Sequence, residues 1–210
     1  MPIEWAMLLA FALTSTAGVI APWLHRRRLR RAVAELPPLT PDTTEGSVVH
    51  VVGRVRALNT LVAPLSGVTC VMASSRITLR ARMLRNVAAT HALTRLRAFV
   101  IEREGQPDVL IDGPHVRLSI PPVKMRWVGG EVAEAFLRAC KLPAHHADGA
   151  RYDEMALVPG ARVSAAGLLI QDIDDAPPEE ERTFRDGPRV QLRLAGDAER
   201  PVLIVDAGAA

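Results

Sequence analysis

Few side chains in this sequence are of types that do covalent chemistry, and their surroundings decide what that chemistry would be. Ser66 stands in Pro64-Leu65-Ser66-Gly67. A nucleophilic serine needs a base held against it, whereas this residue set is that of a tight turn, so turn chemistry is the expectation. Cys70 follows the turn and opens an apolar stretch. A reactive thiolate requires an electropositive, partly exposed site; a cysteine leading an apolar strand is more simply a small buried hydrophobe. Cys140, His145, His146 and Asp148 are all of metal-ligand type, but the spacing lacks the paired second half of a structural zinc site and reads as a helix end followed by a polar loop. The acidic run 172–181 lacks the glycine and ordered alternation of a calcium loop. Phosphate-binding, dinucleotide-binding, HExxH and GxSxG signatures are absent. No catalytic residue, metal or cofactor is therefore expected. The enzymatic alternative is a thiol- or metal-dependent hydrolase using Cys70 or the His145/His146 region.

Charge narrows the class further. The chain carries a net +3, with a pI near 9.4. Arg26, Arg27, Arg28, Arg30 and Arg31 against Glu4 put residues 1–31 at +4, which leaves −1 for all the rest. The basicity is a local cluster rather than a face of the folded domain, so nucleic acid is not an expected partner. Just before that cluster, residues 5–24 contain no charged side chain, and Trp5 and Trp23 sit at the two ends. Such a run spans about 30 Å as a helix, enough to cross a hydrocarbon core, with aromatic residues at the interfaces. The arginine cluster on its C-terminal side predicts a single-pass anchor with the N-terminus outside and the following domain cytoplasmic. A second basic stretch, Arg76, Arg80, Arg82, Arg85, Arg95 and Arg97, has no acid between Arg76 and Ile101. It offers a face to anionic lipid or to an acidic partner, which is the basis of a lipid-binding or purely structural alternative.

The elements that would position these residues are mostly strands. Residues 25–45 read as a basic juxtamembrane segment and a linker, extended by Pro37, Pro38 and Pro41, with the folded domain running from 46 to 206. Strands are predicted at Ser47–Leu58, with Gly53 inside, and at Val71–Leu79, Arg95–Arg103, Val109–Asp112, Val116–Ile120, Arg162–Ile170, Arg189–Leu194 and Val202–Val205. Glu131–Leu142 has helical spacing, acids first, Arg138 and Lys141 last, and Pro143 beyond. Arg82–Leu93 is a second helix candidate, and 172–181 a solvated hairpin loop between the last strands. The fold class expected is mainly β: a curled or barrel-like antiparallel sheet with one or two short helices, preceded by one transmembrane helix.

Several segments, in order, carry a resemblance. They are Val52-Gly53-Arg54-Val55; Ala63-Pro64-Leu65-Ser66-Gly67-Val68-Thr69-Cys70; Ala98–Glu102 with Val109–Asp112; Tyr152–Glu154 with Leu157–Gly160; and Pro201–Asp206. Together they resemble the GIDE, or beside-a-membrane (BAM), domain of membrane-anchored mitochondrial ubiquitin ligases and of many bacterial proteins. Val71-Met72-Ala73 stands where the family usually has aromatics, and Glu102–Gly105 replaces its acidic-Gly-Thr-Gly turn. No Cys/His array of a RING is present in these 210 residues, so no ligase activity is implied. What the resemblance implies is a bacterial-type, non-catalytic module that binds a protein partner beside a membrane. The exposed turn Pro64, Leu65, Ser66 and Gly67 is the expected contact, since turns on a rigid sheet often carry function.

Overall fold

Alternation in the first predicted strand is met side chain by side chain. In β1 (Val48–Ala57), Val49, Val51 and Val55 are buried, while Val48 and Val52 face out. A computed structural model describes residues 24–79, 89–124, 128, 130–143, 150–173 and 190–207. The remaining strands are β2 (Leu61–Val62), β3 (Thr69–Cys70), β4 (Met72–Leu79), β5 (Ala89–Leu96), β6 (Phe99–Arg103), β7 (Gln106–Ile111), β8 (Val116–Ser119), β9 (Arg151–Leu157), β10 (Arg162–Ile173), β11 (Val190–Ala195) and β12 (Val202–Asp206). Two helices are described, α1 over residues 24–34 and α2 (Gly130–Ala139).

Five strands close on themselves in the order β1-β6-β7-β11-β10 and back to β1. Numbered within the barrel this is 1-2-3-5-4-1, the Greek-key circuit of an OB-type barrel. Beyond β10 the sheet continues through β12 to β8. The sheet is mixed: β7 with β11, and β8 with β12, pair in parallel, which corrects the expectation of an all-antiparallel sheet. Closure depends on Gly53. There β1 passes from pairing with β10 to pairing with β6, and a Cβ would lie 2.2 Å from the Glu102 carbonyl oxygen and 2.7 Å from Ile101. The barrel interior is filled by Phe99, Ile101, Val109, Ile111, Leu169 and Leu194, among others.

Two excursions leave the barrel, residues 58–98 between β1 and β6 and residues 112–161 between β7 and β10. They meet: β4 of the first pairs antiparallel with β9 of the second from Met72↔Leu157 to Thr78↔Arg151, giving a three-stranded sheet β5-β4-β9. The helix predicted at Glu131–Leu142 is α2, and it packs Phe136 and Leu137 against Ile77 and Leu65. It ends in a Schellman motif: Leu142 N–H bonds to the Leu137 carbonyl and Lys141 N–H to that of Arg138, with Lys141 at φ 58°. The other predicted helix is overturned in its described part. Ala89–Leu96 is strand β5, paired over its whole length with β4; residues 82–88 lie outside the described residues.

The stretch read as juxtamembrane segment and linker is packed. Val33 of α1 is buried against Ala166 and Val205, with Leu29 and Leu36 beside it. Leu39 joins the barrel core, and His50 N–H bonds to the Pro37 carbonyl. Ordered structure thus begins well before Gly46. Among the described residues no helix is long and apolar enough to cross a membrane; of the apolar run 5–24, only Leu24 is among them.

Gly53→Ala should lower stability by about 3 kcal/mol, because its methyl meets the Glu102 backbone, which cannot swing aside, as well as the buried Ile101 side chain. Gly113→Ala, where the added carbon meets nothing within 4 Å, should be close to neutral in the same urea titration.

Candidate functional site

The Pro64–Gly67 turn joins β2 to β3, a pair in the registers Leu61↔Cys70 and Val62↔Thr69. Ala63 N–H bonds to the Val68 carbonyl at 2.9 Å and Gly67 N–H to the Ala63 carbonyl at 3.0 Å, with Gly67 at φ 70°. A glycine there avoids the cost that a Cβ imposes on a left-handed backbone. Beneath the turn lies the side chain of Glu154, on β9 and fully buried. Its carboxylate accepts from Leu65 N–H at 3.1 Å, Ser66 N–H at 2.8 Å and the Ser75 hydroxyl at 2.6 Å. Ser75 and Glu154 are direct cross-strand partners, so the β4–β9 register places donor opposite acceptor. A buried carboxylate is tolerated only when its lone pairs are met, and here three donors converge on it.

This clamp changes the reading of the turn. Leu65 is not exposed: at 7% accessibility it packs with Ile77, Phe136 and Leu137. Pro64 and Ser66 are half-buried, and Gly67 is exposed. The apolar side chain the hairpin offers to solvent is Val62, at 60% exposure beside the exposed Thr69, and the sequence reading did not single it out. Its signal was present, since in a two-residue strand the partner of an inward Leu61 must point out.

Cys70 is fully buried among Ala63, Ala73 and Ala156. Burial pushes its thiol above the ordinary range, and the charge of Glu154 adds to the shift. A neutral, enclosed thiol is the opposite of an activated nucleophile. The thiol of Cys140, just past α2, is half-buried and also raised by burial; neither cysteine is in a disulfide. His145, His146 and Asp148 lie outside the described residues, and among the described residues no three His, Cys, Asp or Glu side chains gather as metal ligands would. Among the described residues Ser66 donates its hydroxyl to no base; its oxygen accepts from Val68 N–H at 3.4 Å, as a turn serine does.

The arginine cluster is divided by α1. Arg30 turns inward and makes a two-point ion pair with Asp206 on β12. Arg27, Arg28 and Arg31 are exposed and Arg26 half-buried. Of the second basic stretch, Arg76 projects from β4 and Arg95 from β5 on opposite faces of the sheet, as their registers with Ala92 and Ala73 require. Arg97 follows β5, and Arg80, Arg82 and Arg85 lie outside the described residues. Arg76 and Arg95 therefore do not share a face.

No protein-family model, curated protein or solved structure matches the chain. What the geometry defines is a closed β-barrel with a second small sheet and a clamped hairpin.

Two measurements check this site. In the native protein a small thiol reagent should label Cys140 and spare Cys70, which should react only on global unfolding. Glu154→Gln replaces one acceptor oxygen by a donor facing N–H groups, and should cost about 2–3 kcal/mol in a urea titration, whereas Ser75→Ala should cost about 1 kcal/mol.

Proposed function

We propose that the chain is a single-pass membrane protein whose barrel, on the cytoplasmic side, is a non-catalytic module that binds another protein beside the membrane. The observation that carries this reading is the Glu154 clamp. A buried charge is expensive to hold, and this one is spent on fixing two backbone amides of a surface hairpin that presents Val62. Preorganised hairpins of this kind suit recognition, because little ordering entropy remains to be lost on contact. The resemblance to GIDE domains falls on the same Ala63–Cys70 segment and implies the same role.

Three further features support the reading. The uncharged run 5–24 and the arginines after it fit an anchor with its positive side in the cytoplasm. The described residues of α1, which follow that run in sequence, are docked on the barrel through Val33 and the Arg30–Asp206 pair, so the arginine cluster is held close to the barrel. The burial of Cys70 argues against a thiol hydrolase.

A photoreactive amino acid at Val62 of the full chain, in its native membranes, tests the partner contact. One protein should be captured there and not from the same group at Glu104, in the exposed β6–β7 turn. Val62→Glu should lower a partner's affinity by about tenfold, as loss of an apolar contact at an interface centre does. Equal, unselective adducts at both positions would refute the reading. Protease added to the cytoplasmic side of sealed vesicles should reach the barrel; protection would reverse the proposed topology.

A further inference from the structure

Strand direction brings four residues to one rim of the barrel. β6 and β10 both run antiparallel to β1, and β7 and β11 run antiparallel to them in turn. Arg103 at the end of β6, Gln106 at the start of β7, Gln171 late in β10 and Leu192 early in β11 therefore share that rim. The two excursions, with the β2–β3 hairpin, leave from the opposite one. Leu39 enters the core at the first rim, and a cavity of about 280 Å³ lies there, at the lower end of small-ligand sites. Leu39, Pro107 and Leu192 give it apolar wall, and the amides of Gln106 and Gln171 are neutral. Of the charged side chains among the described residues, only Arg103 lines it.

Arg30, Arg56 and Arg193 are each matched by a carboxylate. Arg103 is half-buried and, among the described residues, has no carboxylate partner. Its Nε donates to the Pro107 carbonyl at 3.0 Å and its Nη1 to the Leu39 carbonyl at 3.2 Å. The nearest acids are engaged elsewhere: Asp108 accepts from Arg56 at 3.1 Å, and Glu45 accepts from Gln171 N–H at 3.5 Å. Burial lowers the pKa of Arg103 from the ordinary arginine value, with only the charge of Asp108 acting against it. A cation met by neutral carbonyls alone keeps much of its desolvation cost, which a bound anion would offset.

The geometry of the fork selects the anion. With Nε and one N–H of Nη1 taken, the edge formed by Nη1 and Nη2 is left, and it matches the two oxygens of a carboxylate. A single positive charge balances a monoanion. A phosphate dianion would bring unmatched charge and its hydration against apolar wall. We propose that this rim cavity binds a small monocarboxylate with a compact apolar body, its carboxylate on the free edge of Arg103 and its body against Leu39, Pro107 and Leu192. The site depends neither on the hairpin contact nor on the membrane placement proposed above.

Equilibrium dialysis of radiolabelled benzoate against the full chain in non-ionic detergent, with protein-free detergent as the blank, reads the binding. Benzoate should bind saturably, isovalerate should displace it, and benzamide, its uncharged isostere, should compete about tenfold more weakly or not at all. Arg103→Gln should weaken benzoate by about tenfold. Leu192→Phe, which fills the cavity without touching the cation, should do the same, and a urea midpoint for each variant shows that the loss is not unfolding. Benzamide equal to benzoate, or binding indifferent to both variants, overturns the proposal. So does equal displacement by inorganic phosphate, which would make this a general anion site. Absence of saturable binding up to about 10 mM also overturns it. Binding gained only when Glu179, Glu180 and Glu181 are replaced by Gln would assign Arg103 to the acidic run of its own chain, against the proposal.

Discussion

At Gly53 the backbone of β1 lies so close to the Glu102 carbonyl that no side chain fits between them. That contact lets β1 bend out of its ladder with β10 and into its ladder with β6, and the bend makes a circuit out of a sheet. Strand curvature of this kind is what glycines and bulges provide in closed barrels. Once the circuit is closed, the two long excursions emerge where β4 and β9 can pair, and the second sheet forms. The hairpin, its clamp and the docking surface for α1 all sit on that frame.

The polar chemistry of the excursion sheet follows from its register. Pairing Ser75 with Glu154 places a hydroxyl and a carboxylate on the same inward face, under the β2–β3 turn. A slip of β9 by one residue would turn Glu154 out to solvent and leave the Ser75 hydroxyl and the Leu65 and Ser66 amides unmet. Buried polarity here acts as a register lock, with the apolar cluster of Ile77, Phe136, Leu137 and Leu65 beside it supplying area but little directionality. The edge-on contact of Phe136 with Tyr152, 6.4 Å between centroids, ties α2 to the same strand β9 that holds Glu154.

Much of the seven-stranded sheet was legible in the sequence because its strands alternate against a one-sided core. Val49, Val51 and Val55 in β1, and Val116 and Leu118 in β8, are buried as that pattern requires. Gly53, which lies inside the first predicted strand, is the closure point. Strand β9 escaped because its central residue is Glu154, and an acid argues locally for an exposed segment; only its partners, distant in sequence, make it a core residue. Strand β5 misled through its alanine, leucine and arginine, good helix formers overridden by eight registered pairs with β4. Parallel pairing is invisible to local patterns, since it depends on which strands the excursions bring together. The packing of α1 was readable from Leu29, Val33 and Leu36 at helical spacing, but the prolines that follow drew attention to an extended chain instead.

The docking of α1 also sets an order of events during synthesis. The helix is made first, yet its seat is formed by Ala166, Leu203 and Val205, and Arg30 finds its partner 176 residues later. Until the last strand leaves the ribosome, the apolar stripe of α1 has nothing of its own chain to lie on. Burial of Val33 and pairing of Arg30 therefore wait on β12, so the docking of the first helix and the arrival of that strand become one step, and a chain stopped before Val202 would leave both unmade.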